Sequence, residues 1–171
     1  MVIRLCRLLL NFIIKEIVML AVFRQRNFSL LWIGNFISMM GDWMLLVALP
    51  FYVFQRTGSA LATGATFIVE VIPTLLLGSV AGVFVDRWSR KRTLVVTNVL
   101  SAVMLLLLLF VQTRGGLWLV YMVAFAESLI DCFASPAYSA LVPLLVKEEQ
   151  LPTANSANKL GVELTRLLGP A

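Results

Sequence analysis

The sequence predicts an all-α, multi-pass membrane protein, and three observations predict it. Hydrophobic residues make up 60% of the chain and charged residues only 13%, where a soluble domain carries about 25% charge. The charges gather in short segments, separated by apolar runs of the ~20 residues that cross a bilayer as a helix. Within two of these runs the polar side chains recur every three or four residues, the period of a helix and not of a strand. A chain of 171 residues then has room for roughly four to six spans. The expected architecture is four complete transmembrane helices plus the start of a fifth.

Residues 1–22 stand apart. Arg4, Arg7, Asn11 and Lys15 fall on one helical face, which suggests a basic amphipathic helix on the inner leaflet. A secretory signal is disfavoured, because no small-x-small cleavage site follows the apolar stretch. The alternative is a mis-started segment, with translation beginning at Met19 and leaving only Arg24 and Arg26 as a basic lead.

The first span is expected over about 30–54. Asn35, Ser38 and Asp42 share one face of it, and Gly34 and Gly41 offer a close approach to a neighbouring helix. Pro50 bends its outer end, and Gln55-Arg56-Thr57-Gly58-Ser59 is an outer turn. The second span, about 60–85, carries a stripe of Thr63, Thr66, Glu70 and Thr74, a kink at Pro73, and the small pair Gly78 and Gly82 for helix packing. A third, about 94–111, is polar only near its start, at Thr97, Asn98 and Ser101, and ends in a leucine run suited to lipid. After the turn Gln112 to Gly116, the fourth span covers about 117–141, with Glu127 and Asp131 one turn apart, and fades near Ser135-Pro136. Lys147 to Lys159 is polar, and a fifth helix begins at about 160.

Charge placement sets the topology. Arg24 and Arg26 precede the first span, Arg87, Arg90, Lys91 and Arg92 lie between the second and third, and Lys147 and Lys159 follow the fourth, whereas the alternate loops hold Arg56 and Arg114. The positive-inside rule puts the amino terminus and the loop at Asp86 in the cytoplasm of a cell whose inner membrane holds the chain. It also accounts for the net charge of +5 without nucleic acid as a partner. The chain has no histidine, hence neither the commonest general base nor the commonest transition-metal ligand, which weighs against an enzyme and against a metal or other cofactor. Cys6 and Cys132 are read as small apolar residues and not as a disulfide.

Two sets of residues can carry function. Asp42, Glu70, Glu127 and Asp131 are acids inside spans, where a charge at the bilayer centre costs about 2.5–3.5 kcal/mol on insertion scales. Such residues face a cavity or a partner, and a protonatable carboxylate reached in turn from each side can couple proton entry to movement of a substrate. The alternative is that each bonds a neighbouring helix and does no more. The second set is the order Gly82-x-x-x-Asp86-Arg87-x-x-Arg90-Lys91-Arg92 at the junction of two spans. There Asp86 could accept from the free amides of a helix start and Arg90 could pair with an acid on another helix, forming a conformational latch.

That order resembles the signature of the major facilitator superfamily (MFS) between its second and third helices, matching at Gly82, Asp86, Arg87, Arg90, Lys91 and Leu94 and departing at Ser89, where the family has a second glycine. Asn27 to Gly34, Gly41-Asp42-Trp43, Val47 to Pro50, Thr57 to Leu61 and Phe133 to Ala137 resemble the branch of macrolide, other drug and siderophore exporters. Leu168-Gly169-Pro170 resembles the opening of an antiporter signature in the fifth helix. The likeness covers residues 23–171 and implies an MFS-type helical bundle: part of the amino-terminal half of a twelve-helix transporter, working by alternating access on a small-molecule substrate and driven by a proton gradient. It also implies that the first and fourth spans line the cleft, that the third is peripheral, and that Asp86 and Arg90 latch the inner side, for which Asp131 is the candidate partner of Arg90. On this reading the chain is an amino-terminal fragment, whose partners are the lipid bilayer and the missing remainder of the transporter. Readings of another kind are a non-transporting membrane subunit or assembly factor paired with another membrane protein, and a small four-helix transporter acting as an oligomer.

Overall fold

The computed structural model describes residues 22–109 and 116–169. The expected amphipathic segment, Cys6, the end of the third span, the turn at Arg114 and Pro170 lie outside the described residues. Helix α1 runs Arg26–Thr57, α2 Ala60–Arg87, α3 Arg90–Leu108 and α4 Leu117–Leu145. A single 3₁₀ turn, Glu148–Gln150, leads into α5, Leu151–Leu168. Four of these, α1 to α4, are long and apolar enough to cross a membrane. Their outward side chains are the apolar ones, with Leu61, Leu75 and Leu109 each at least 70% exposed, the reverse of a water-soluble surface.

The corners follow from local chemistry. At the end of α1 the Thr57 hydroxyl donates to the Val53 carbonyl at 2.8 Å, and Gly58 takes φ 63°, a left-handed value that glycine adopts without a Cβ penalty. Ser59 then caps α2, its hydroxyl accepting from the Ala62 amide at 3.3 Å. Between α2 and α3 only Trp88 and Ser89 leave the helical region, both with extended backbone. Ser89 at φ −71° needs no glycine, so its departure from the family pattern leaves the turn unstrained.

Three expected boundaries move. The third helix starts at Arg90 and not near Leu94, because a two-residue corner puts the charged residues into helix ends. The fourth runs through Ser135-Pro136 to Leu145, since a proline removes one backbone bond and long apolar flanks in lipid preserve the others. The fifth begins at Leu151, with Pro152 in its first turn, so most of the polar stretch expected outside a helix is helical.

The described residues divide into two compact units, one holding those up to Trp43 together with those from Val142 onward, the other those between Met44 and Leu141. In the first, α5 buries Ala154, Ala157, Gly161 and Thr165, spaced i, i+3, i+7 and i+11, and this face meets Trp32 of α1. The Trp32 indole donates to the Ala157 carbonyl at 3.1 Å, and a Cβ at Gly161 would lie 3.1 Å from the ring. At the far end of α5 a Cβ at Gly169 would come within 2.5 Å of the Cβ of Trp43. In the second unit Leu49 and Val53 of α1 form a core with Val120 and Ala124 of α4, flanked by Tyr52, Ala62 and Tyr121.

Among the described residues, the glycines expected to serve packing face open space. An added Cβ at Gly34, Gly41 or Gly82 would meet no described atom within 4 Å, and at Gly78 only the Thr74 methyl of its own helix. Close approach is carried by Gly161 and Gly169 instead.

Candidate functional site

In the second unit two helices, α2 and α3, converge on the middle of α4. Ser101 of α3 donates to Glu127 Oε2 at 2.8 Å, while Glu127 Oε1 is buried and makes no hydrogen bond. Glu127 itself is 9% exposed. Its neighbour Ser128 turns to the other side and donates to the Glu70 carbonyl of α2, with Thr74 Oγ1 also 3.4 Å from the Ser128 hydroxyl. Tyr121, nearer the start of α4, donates to the Ala62 carbonyl at 2.9 Å. Cys132 is a buried free thiol whose Sγ lies 4.0 Å from Thr74 Oγ1. Polar side chains thus join α4 to α2 on one side and to α3 on the other, as hydroxyls do between helices in lipid.

The four acids are placed differently. Glu127 is enclosed, Glu70 is half-buried and meets α4 through its backbone carbonyl, and Asp131, one turn beyond Glu127, is exposed. Asp42 is half-buried on α1, one residue before Trp43, over whose ring the Arg166 guanidinium of α5 lies at 5.8 Å. Among the described residues no group of three or more His, Cys, Asp or Glu side chains is placed to hold a metal ion.

The charged corner departs from expectation in two ways. Asp86 belongs to the last turn of α2 and not to the start of a helix, because only Trp88 and Ser89 separate α2 from α3. Arg90 does not pair with Asp131. Its Nη1 donates to the Ala140 carbonyl at 3.2 Å, nine residues further along α4, about 13 Å at the helical rise. The contact still fastens the corner to α4, through a backbone acceptor and without an acid. Trp88 strengthens it by stacking on Phe133, ring centroids 6.3 Å apart and planes at 16°. Beside this contact, a cavity of about 620 Å3 opens between α3 and α4, with Arg87 and Arg92 among its lining residues.

Sequence reasoning missed Ser101 as the partner of Glu127, Ser128 as the link to α2, and the Trp88–Phe133 stack. Ser101 was visible as one of three polar residues near the start of the third span, but nothing in one helix's pattern tells which neighbour it faces.

The profile of the Major Facilitator Superfamily matches residues 31–171. The chain belongs to that superfamily. Macrolide efflux protein A of Streptococcus pyogenes is 29% identical over 147 residues, which are 85% of this chain and 36% of that protein. An uncharacterized MFS-type transporter of Bacillus subtilis, YkuC, is 26% identical over 149 residues, 86% of this chain and 35% of its own length. The staphyloferrin A transporter of Staphylococcus aureus is 23% identical over 141 residues, 81% of this chain and 36% of its own. No solved structure matches the chain. The chain therefore spans about a third of the length of the curated relatives it matches. As a superfamily member with four crossing helices it is a multi-pass membrane protein.

Proposed function

We propose that this chain is the amino-terminal part of a proton-coupled exporter, which expels a small molecule such as a drug or siderophore by alternating access. Glu127 is the observation that carries the reading. A carboxylate buried in a spanning helix, bonded through one oxygen to Ser101 and with the other oxygen unpartnered, is where a proton or a substrate's cationic group gains most by binding. Membership of the superfamily supports transport as the activity, and relatives named for macrolide efflux and staphyloferrin A transport support export of a bulky small molecule. Asp42 is the second coupling carboxylate on this reading, with Glu70 and Asp131 in supporting positions. The corner at Gly82, Asp86, Arg87, Arg90 and Lys91 acts as the inner latch, closing through Arg90 and Ala140. Arginines and lysines around that corner and before α1 put both on the cytoplasmic side of the inner membrane.

The test is pH-gradient-driven efflux by the whole transporter carrying Glu127→Gln or Asp42→Asn. Each variant should lose gradient-driven efflux, falling to the level of cells without the protein, while substrate exchange at equal pH persists. Unchanged gradient-driven efflux in both variants would remove the assignment.

A further inference from the structure

The cavity between α3 and α4 shares Arg87 with the proposed latch and otherwise lies outside the reading above, and its chemistry is divided along its length. Arg87 and Arg92 lie at the corner end, and Trp88 and Phe133 stack as one wall. Beyond them the lining is apolar, with Val96 and Leu100 from α3 and Ile130 from α4. Neither Arg87 nor Arg92 makes a hydrogen bond or ion pair among the described residues, although Asp86 is adjacent in sequence and exposed. Trp88 keeps 56% of its surface exposed, as an interfacial tryptophan does at the headgroup level. The volume, about 620 Å3, falls within the roughly 300–1,000 Å3 of small-ligand sites and far exceeds what one water occupies.

A ligand that fits must be anionic at one end and hydrocarbon at the other, and it must reach a site between two membrane-spanning helices at the level of a basic corner. We propose that this cavity binds one anionic phospholipid, its phosphate held by Arg87 and Arg92 and an acyl chain laid along Val96, Leu100 and Ile130. Charge complementarity selects the occupant: four basic residues in six positions, Arg87 to Arg92, face one acid, and basic recesses between spans are where anionic headgroups lodge. Trp88 closes the headgroup side. The inference is independent of whether the protein transports.

The experiment is native mass spectrometry of the detergent-solubilised full chain, titrated separately with phosphatidylglycerol, phosphatidylcholine and inorganic phosphate. One phosphatidylglycerol should be retained, with phosphatidylcholine held at least tenfold more weakly and phosphate not retained. Arg87→Gln should weaken phosphatidylglycerol about fivefold and Arg87→Gln with Arg92→Gln about thirtyfold, the effect of one basic residue apiece beside an anionic headgroup. Lys147→Gln with Lys159→Gln removes the same charge from residues that do not line the cavity and should leave retention unchanged. Val96→Trp, which fills the cavity and keeps both arginines, should also abolish the bound lipid. Equal retention of the two lipids, equal loss in the two charge-matched double variants, or lipid still held by Val96→Trp would each overturn the proposal, as would retained phosphate alone.

Discussion

Two helix seams, one in each unit, are closed by opposite means. Where α5 meets α1, the α5 residues are small, and Trp32 donates to the Ala157 carbonyl and sits so close to Gly161 that a Cβ there would lie 3.1 Å from the ring. Where α3 meets α4, the facing residues are larger and the seam is held at separate points, by Ser101 on Glu127 and by Arg90 on Ala140. Space remains beside them. Small residues give close approach and therefore steric specificity, whereas point contacts between larger residues leave room for a ligand or a rearrangement. On the proposed function the polar face around Glu127 belongs to the second kind of seam, because a residue that changes partners cannot be packed on every side.

The comparison can be broken most directly at Gly161. Gly161→Leu forces a side chain into the Trp32 ring and should lower stability by about 3 kcal/mol, the upper part of the overpacking range, read as the unfolding midpoint in detergent with Trp emission as the probe. An unchanged midpoint would mean that the first seam is not closed by fit. Ser101→Ala probes the second seam by removing the one hydrogen bond to a buried carboxyl. The expected loss is about 1.5–2 kcal/mol, with recovery in Ser101→Thr, and equal behaviour of the alanine and threonine variants would show that the bond does not hold α3 to α4. Gly34→Ala is the smallest case: an added methyl there meets no described atom, so a shift below about 0.5 kcal/mol is expected. A large loss at Gly34 would show that an apolar helix face left open here is packed after all.

Much of this was legible in the residues and some was not, for reasons that differ by position. The crossing helices announce themselves because lipid demands about 20 apolar residues in a row, and the Thr57-Gly58-Ser59 corner because it needs a left-handed residue followed by a cap. The start of α5 is hidden because its buried face is Ala154, Ala157, Gly161 and Thr165, too small and too mild to register as an apolar run, although their spacing is helical. The open surroundings of the packing glycines have a related reason. A small-xxx-small pair such as Gly78 and Gly82 states that approach is possible, while the approach itself depends on what the other helix presents, as Trp32 does for Gly161. The Glu127–Ser101 bond and the Arg90–Ala140 bond depend on rotation and level between helices, which no single helix pattern encodes. Asp131 is a plausible acid for Arg90 by type and is about 13 Å away from the observed acceptor along α4.

The corner of Trp88 and Ser89 sets a mechanical limit as well. Only three Cα–Cα links of 3.8 Å separate the last residue of α2 from the first of α3, so those helix ends can never be more than about 11 Å apart. Such a joint can swivel but cannot stretch. Any shift of the Arg87 end of one helix must drag the Arg90 end of the other with it, and the pair works as a hinged strut of fixed joint length.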